Sequence, residues 1–88
     1  MLLGKIVGTL VSSKKDAKME GFRFMVVKQI DLEGKETGGY RIAVDAVGAG
    51  VGEVILFATG SAARQTVATH ERPCDAVIMA IVDEWDVD

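Results

Sequence analysis

Cysteine, histidine and proline are almost absent from this chain of 88 residues, which contains one of each. The single cysteine, Cys74, cannot form a disulfide within the chain and is typical of a reducing compartment, so we expect a cytoplasmic location. Cys74 and the single histidine, His70, do not make a metal site, because metal centres in proteins need three or four ligands at defined spacing. We therefore expect no metal and no cofactor.

Long apolar runs and an excess of basic residues are also missing. Hydrophobic residues make up 49% of the chain, yet no uninterrupted run approaches the roughly 18 residues that a membrane-spanning helix needs. The first residues lead directly into strand-like alternation, so we expect no signal peptide and no membrane partner. The net charge of −3 argues against nucleic acid as a partner, because phosphates attract a basic surface.

Glycine, in contrast, is concentrated in one short segment that we call the glycine loop. Its residues are Gly48, Ala49, Gly50, Val51, Gly52 and Glu53. Glycine at this density indicates positive φ angles, or a close approach to a phosphate, a ligand or another copy of the chain.

A nucleotide-binding interpretation of the glycine loop fails on two counts. Glu53 stands where the dinucleotide fingerprint needs its third glycine, and the loop leads into a strand instead of a helix. A tight turn and close packing against a symmetry mate remain as alternatives. We predict that Gly50 either has φ above zero or meets a neighbouring subunit. Asp45, just before the loop, is predicted to accept hydrogen bonds from the loop amides in a structural role.

Five segments have the composition and flanking turns of β-strands. They are residues 3–12, 22–30, 40–47, 53–58 and 76–82. A polar turn is predicted over residues 31–39, and Ser61 is the predicted N-cap of a short helix that extends to about residue 69. Residues 1–88 are therefore predicted to form one all-β domain, a small five-stranded OB-like β-barrel with one short helix.

The last two predicted strands are apolar on both faces, whereas a half-buried strand alternates apolar and polar residues. A barrel this small hides only its inner face, and a domain of this size is marginally stable alone. We expect other subunits to cover some of the outer faces, so that the chain forms a closed homo-oligomer. Covering by loops of the same chain is the alternative.

The remaining polar residues do not form a catalytic pattern. Ser61 and His70 would need an acid such as Asp75, and no spacing demands that arrangement, so we expect no enzyme. Ser61 and Arg64 are candidates for a subunit interface. Trp85, the one apolar anchor in an acidic tail, is predicted to be partly buried against its own barrel or a neighbouring subunit.

The basic cluster of Lys14, Lys15 and Lys18 is the candidate for contact with an acidic partner. It lacks interleaved aromatic residues, which a single-stranded nucleic-acid site would need for stacking on bases. An OB-like module for nucleic acid or a small ligand is the alternative function.

Several fragments in a fixed order are similar to one known family. They are residues 3–9 (LGKIVGT), 13–16 (SKKD), 44–53 (VDAVGAGVGE), 60–64 (GSAAR) and 81–83 (IVD). Together they resemble the EutN/CcmL family of bacterial microcompartment shell proteins, over nearly the whole chain.

The resemblance implies a small β-barrel subunit without enzymatic activity, assembled into a homopentamer. Such pentamers close the vertices of a polyhedral shell whose facets are hexameric shell proteins. The glycine loop would lie near the fivefold axis, and Lys14, Lys15 and Lys18 would contact the facet proteins. Residues 28–31 and 34–39 look more like members from catabolic compartments than from carboxysomes.

Overall fold

The computed structural model describes residues 1–87 and is built almost entirely from strands. The strands are β1 (Leu2–Leu10), β2 (Phe24–Ile30), β3 (Glu36–Asp45), β4 (Val54–Thr59) and β5 (Ala76–Ile81). They form a closed barrel in the order β1-β2-β3-β5-β4. The β3–β5 pair is parallel and the other pairs are antiparallel. This confirms the predicted all-β barrel of five strands.

The predicted helix that starts at Ser61 is wrong. The chain forms only a 3-10 turn at Gly60–Arg64, and no side chain caps its start. Thr66 and Thr69 explain the early end, because their hydroxyls lie 2.6 Å apart and the Thr69 hydroxyl donates to the Ala63 carbonyl at 2.6 Å. Such local bonds compete with helical backbone bonds. A second 3-10 turn lies at Ala17–Met19, between β1 and β2.

The predicted turn over residues 31–39 is too long, because β3 begins at Glu36 and runs through both Gly38 and Gly39. The turn itself is compact. The Asp31 carboxylate accepts the backbone N–H groups of Glu33 and Lys35 at 2.9 and 3.0 Å.

The barrel interior is filled by side chains from all five strands and one loop. Its buried members are Ile6, Met25, Val27, Ala43, Ala49, Ile55, Phe57, Ala76 and Ile78. Gly4 also faces this interior, since a Cβ atom there would lie 2.8 Å from both Phe57 Cε1 and Val27 Cγ1. The barrel therefore closes around Phe57 because Gly4 has no side chain.

A second apolar cluster lies outside the barrel and is covered by the chain itself. Val44, Ala58 and Val77 from three strands pack with Ala63 of the 3-10 turn. The partly buried Phe22, Phe24, Cys74 and Met79 surround them. Covering by the same chain, which we kept as the alternative, thus accounts for part of the two-sided apolar character of β4 and β5.

Arg72 joins the two long loops that cover this second cluster. Its guanidinium lies 3.8 Å from the centre of the Phe22 ring, a favourable cation–π arrangement. It donates hydrogen bonds to the carbonyls of Lys18 (2.7 Å), Ala68 (3.2 Å) and Glu20. Arginine suits this position because its planar fork serves several acceptors while it stacks on a ring.

We expect Gly4→Ala to lower the free energy of unfolding by about 1–3 kcal/mol, because the added methyl group overpacks the barrel interior. Urea unfolding at a fixed subunit concentration measures this loss. Gly38→Ala is the matched control, since nothing lies within 4 Å of a Cβ atom there and its φ is not positive. We expect Gly38→Ala to change stability by less than about 1 kcal/mol. An equal loss in both variants would contradict the interior crowding.

Candidate functional site

The glycine loop, which joins β3 to β4, is anchored at its start by Asp45. The side chain of Asp45 is only 1% exposed, and its Oδ2 accepts a hydrogen bond from Arg23 Nη1 at 2.8 Å. Its Oδ1 accepts the backbone N–H groups of Val47 and Gly48 at 3.0 and 3.1 Å. This confirms the predicted structural role of Asp45.

Arg23 also fixes the middle of the loop, because the same Nη1 donates to the Ala49 carbonyl at 3.3 Å. Ala49 is 1% exposed and belongs to the barrel interior. The glycine loop is therefore not a free surface loop, since its second residue helps to fill the barrel.

The far end of the loop is bonded to itself and to β1. Glu53 Oε1 accepts the Gly50 N–H at 2.7 Å, and the Glu53 N–H donates to the Gly50 carbonyl at 3.2 Å. The Gly52 N–H donates to the Ile6 carbonyl at 2.8 Å, and the Ile6 N–H donates to the Glu53 carbonyl at 3.0 Å. The loop thus pairs with β1 where the β1–β2 register shifts, between Ile6 and Gly8.

Two of the three glycines have φ angles that require glycine. Gly48 has φ of 79° and Gly52 has φ of 93°, in the left-handed region that other residues rarely adopt. Gly50 does not have a positive φ, which excludes the first of its two predicted alternatives and leaves contact with a neighbouring subunit as a prediction. A Cβ atom at Gly50 would make only an ordinary 3.5 Å contact with Glu53 Oε1. Within one subunit, nothing requires glycine at this position.

The loop presents apolar side chains, and most of the backbone amides in and next to it are bonded within the chain. The N–H groups of residues 47, 48, 50, 52 and 53 all donate within the chain, so they are not available to a phosphate. Val7, Val47 and Val51 near the loop remain 38%, 41% and 60% exposed. This valine surface is suited to packing against another apolar surface.

The two interface candidates in the 3-10 turn, Ser61 and Arg64, are exposed. Arg64 Nη1 donates to the Cys74 carbonyl at 3.3 Å, so part of its bonding lies within the chain. Cys74 packs in the cluster outside the barrel, and burial raises the pKa of its thiol. A protonated thiol is a poor nucleophile at neutral pH.

Trp85 lies against its own hairpin. Its Nε1 donates to the Leu32 carbonyl at 2.7 Å, and the residue is 41% exposed. In the single subunit, Trp85 is therefore partly covered by its own chain, which is one of the two predicted alternatives.

The three lysines of the basic cluster differ from one another. Lys14 and Lys18 are exposed. The Lys15 side chain is 17% exposed, its Nζ donates to the Ser12 carbonyl at 3.0 Å, and it lies 3.9 Å from Glu20 Oε2. Lys15 thus holds its own loop, which leaves Lys14 and Lys18 as the candidates for contact with a partner.

No catalytic arrangement forms among residues 1–87. His70 is exposed and lies 4.0 Å from a Glu71 carboxylate oxygen, and no hydrogen bond joins it to Ser61 or Asp75. Within the same range, no group of three or more His, Cys, Asp or Glu residues could hold a metal ion. No helix described here is long and apolar enough to cross a membrane.

Arg23 and Arg72 organise this side of the molecule, and the sequence did not single them out. Arg23 acts through Asp45 and Ala49, which are 22 and 26 residues away. Arg72 acts on carbonyls up to 54 residues away. The only signal in the sequence is a lone arginine beside apolar residues, which does not identify a distant carbonyl partner.

Comparisons with known proteins agree over the whole chain. The EutN_CcmL family model, described as "Ethanolamine utilisation protein EutN/carboxysome", matches residues 1–83. The carboxysome shell vertex protein CcmL of Gloeobacter violaceus is 44% identical over 88 residues, which are 100% of this chain and 88% of that protein. The solved structure of Gloeobacter violaceus CcmL has a TM-score of 0.94 at 44% identity and covers 100% and 91% of the two chains.

A second solved structure is that of the pentameric microcompartment shell protein GrpN from Rhodospirillum rubrum. It has a TM-score of 0.91 at 35% identity and covers 100% of both chains. This chain is therefore similar over its whole length to proteins named for shell vertices and for a pentameric shell.

We expect Asp45→Ala to lower the free energy of unfolding by about 2–4 kcal/mol, because two loop amides lose their acceptor and a buried ion pair is broken. Urea unfolding and amide hydrogen exchange at Val47 and Gly48 measure the effect. Asp83→Ala is the control, with an expected change below about 1 kcal/mol because this carboxylate is exposed and forms no ion pair within residues 1–87. Unchanged exchange at both amides in Asp45→Ala would contradict this role.

Proposed function

This chain belongs to the EutN/CcmL family, and from that premise we propose that five copies form a ring that caps the vertices of a bacterial microcompartment shell. The observation that carries the proposal is the full-length match to a named shell vertex protein at 44% identity. The pentameric relative, which aligns over 100% of both chains, supports a ring of five. The role is structural, and we propose no catalysed reaction.

The physical reason for a fivefold unit is geometric. A flat sheet of hexamers does not close, and replacing a sixfold unit by a fivefold one introduces the curvature that a closed shell needs. A cyclic ring of identical subunits uses heterologous contacts, which close when the rotation per subunit fits. A small subunit with apolar surface left exposed suits such a ring.

The glycine loop is our proposed contact near the fivefold axis. Most of its amides are already used within the subunit, and its valine surface is open. Apolar side chains with no polar group to satisfy are suited to a contact between subunits. Gly50 is consistent with the same arrangement, because its own chain makes no close contact with a Cβ atom placed there.

Lys14 and Lys18 are our proposed contacts to the hexameric facet proteins. Both side chains are exposed, on a loop that Arg72 joins to the loop before β5 and that Lys15 braces internally. Exposed charges steer association more than they stabilise a folded core. The resulting shell would lie in the cytoplasm.

The type of compartment stays a prediction. Residues 28–31 and 34–39 favour a catabolic compartment, whereas the relative described above at 44% identity is carboxysomal. GrpN, at 35% identity, is named only as a microcompartment shell protein. Membership in the family thus does not choose between the two types.

We expect Val51→Asp to shift the ring toward smaller species, because five added carboxylates near the axis would repel one another and lose apolar contact. Native mass spectrometry at several concentrations measures the distribution. Val11→Asp is the control, since Val11 is 93% exposed at the end of β1 and should leave the pentamer intact. A fully pentameric Val51→Asp protein would contradict the position of the loop at the axis.

We expect the double variant Lys14→Glu and Lys18→Glu to reduce incorporation into shells at least about tenfold while the isolated pentamer persists, because rim charges act on association. Co-purification with shells and native mass spectrometry measure the two properties. Lys5→Glu with Lys35→Glu reverses the same number of exposed charges elsewhere. Equal loss in both double variants would show a general charge effect.

Deletion of the gene in its host tests the function as a whole. We expect open or elongated shells by electron microscopy and leakage of enclosed metabolites. Complementation by the unchanged chain should restore closed shells. Regular, impermeable compartments in the deletion strain, with no related chain present, would refute the vertex role.

A further inference from the structure

One end of the molecule carries a groove with apolar side chains that no described residue covers. It is formed by the start of β1 and the β2–β3 turn, and it has a volume of about 450 Å³. Its lining residues are Met1, Leu2, Leu3, Gln29, Ile30, Asp31, Leu32 and Glu33, which we call the hairpin groove. Met1 and Leu32 are 76% and 59% exposed, although large apolar side chains normally lose contact with water on folding.

The acidic C-terminal tail lies against the hairpin beside this groove. The bond from Trp85 Nε1 to the Leu32 carbonyl, at 2.7 Å, fixes the tail to the turn. Glu84, Trp85 and Asp86 line a second depression of about 390 Å³. The indole thus adds an apolar surface next to Leu32, with a carboxylate on either side of it in the sequence.

The side-chain charge around the groove is mostly negative. Glu33, Asp83, Glu84 and Asp86 are exposed, and none of them takes part in an ion pair within residues 1–87. Asp31 accepts only backbone amides of its own turn. Against these five carboxylates, the turn supplies a single cation, Lys35. A cationic partner would therefore meet carboxylates that are not neutralised by the chain itself.

We propose that the hairpin groove with Trp85 docks a cationic protein segment that carries a large apolar side chain. The apolar floor provides the anchor site, and the carboxylate rim selects lysine or arginine beside that anchor. The same charge repels nucleic acid and anionic lipid. This partner is additional to the facet proteins that Lys14 and Lys18 would contact, and the docking site lies outside the glycine loop and the valine surface.

Trp85 is the only tryptophan of the chain, so the intact protein contains its own reporter. The probe is a short capped peptide composed of leucine and lysine, titrated into the purified protein. We expect a blue shift of the indole emission and a binding curve that weakens as salt is raised. Matched peptides with glutamate for lysine, or with serine for leucine, should give no shift.

Paired variants locate the binding surface. Glu33→Gln with Glu84→Gln removes two rim charges, and we expect a three- to tenfold loss of affinity, about what two exposed charge pairs contribute. Leu32→Ser should also weaken binding, because it removes an apolar side chain from the floor of the groove. Glu71→Gln with Asp75→Asn removes two charges outside the groove and should leave the affinity unchanged. Equal weakening by both charge variants would overturn the proposal.

If a second copy of the chain covered the groove in the pentamer, Trp85 would be shielded from a quencher there. Quenching of Trp85 in the assembled protein therefore distinguishes a subunit contact from a free docking site. We expect acrylamide to quench Trp85 in the pentamer before the peptide is added, and less after it is added. Complete protection in the pentamer alone would overturn the proposal in favour of a subunit contact. Native mass spectrometry of the same samples reports the pentamer separately, so a failure of the ring is distinguishable from a failure of docking.

Discussion

The buried carboxylate of Asp45 is the interaction on which the functional side of this molecule depends. It lies at the end of β3 and is shielded to 1% exposure, where an unpaired charge would be costly. Arg23 and two loop amides satisfy it. These bonds direct the chain back over the barrel, so that Ala49 fills the interior and the valine surface faces outward.

The loop that results is built for contact with protein. Four of its six backbone N–H groups donate within the chain, as does that of Val47 just before it, whereas an anion-binding loop must leave such groups free. Its two left-handed residues, Gly48 and Gly52, set the path of the backbone. Gly50 has neither an unusual φ nor a close neighbour. A requirement for glycine at this position can therefore come only from contacts between subunits.

The sequence predicted the barrel because β-branched runs and glycine-rich turns are local signals. It misjudged the extent of two elements and did not single out one residue. The helix after Ser61 ends early because Thr66 and Thr69 bond each other and the chain. β3 begins at Glu36 because pairing with Ile30 across the hairpin outweighs the two glycines. Arg72 acts on carbonyls that are distant in the sequence, and no spacing rule reveals such partners.

Part of the candidate site was also predictable, because that part depends on local sequence signals. The density of glycine identified the glycine loop, and the resemblance added its expected place near the fivefold axis. The family match over residues 1–83 confirms the resemblance itself. Asp45 was predictable because an acid before a glycine turn commonly accepts loop amides. The different roles of Lys14, Lys15 and Lys18 were not predictable, because only the fold brings Glu20 and the Ser12 carbonyl close to Lys15.

The distribution of charge connects the single subunit to its assembly. The paired charges Arg23–Asp45 and Lys28–Glu36 lie on the barrel strands or next to them, where they fix the positions of neighbouring segments. The unpaired ones concentrate in the basic loop after β1 and in the acidic tail and hairpin turn. Unpaired charge contributes little to the stability of one subunit, yet it determines which surfaces attract one another at a distance. The buried side-chain polar atoms of the described residues all have hydrogen-bond partners, so the charges left unpaired at the surface are the ones that can specify external contacts.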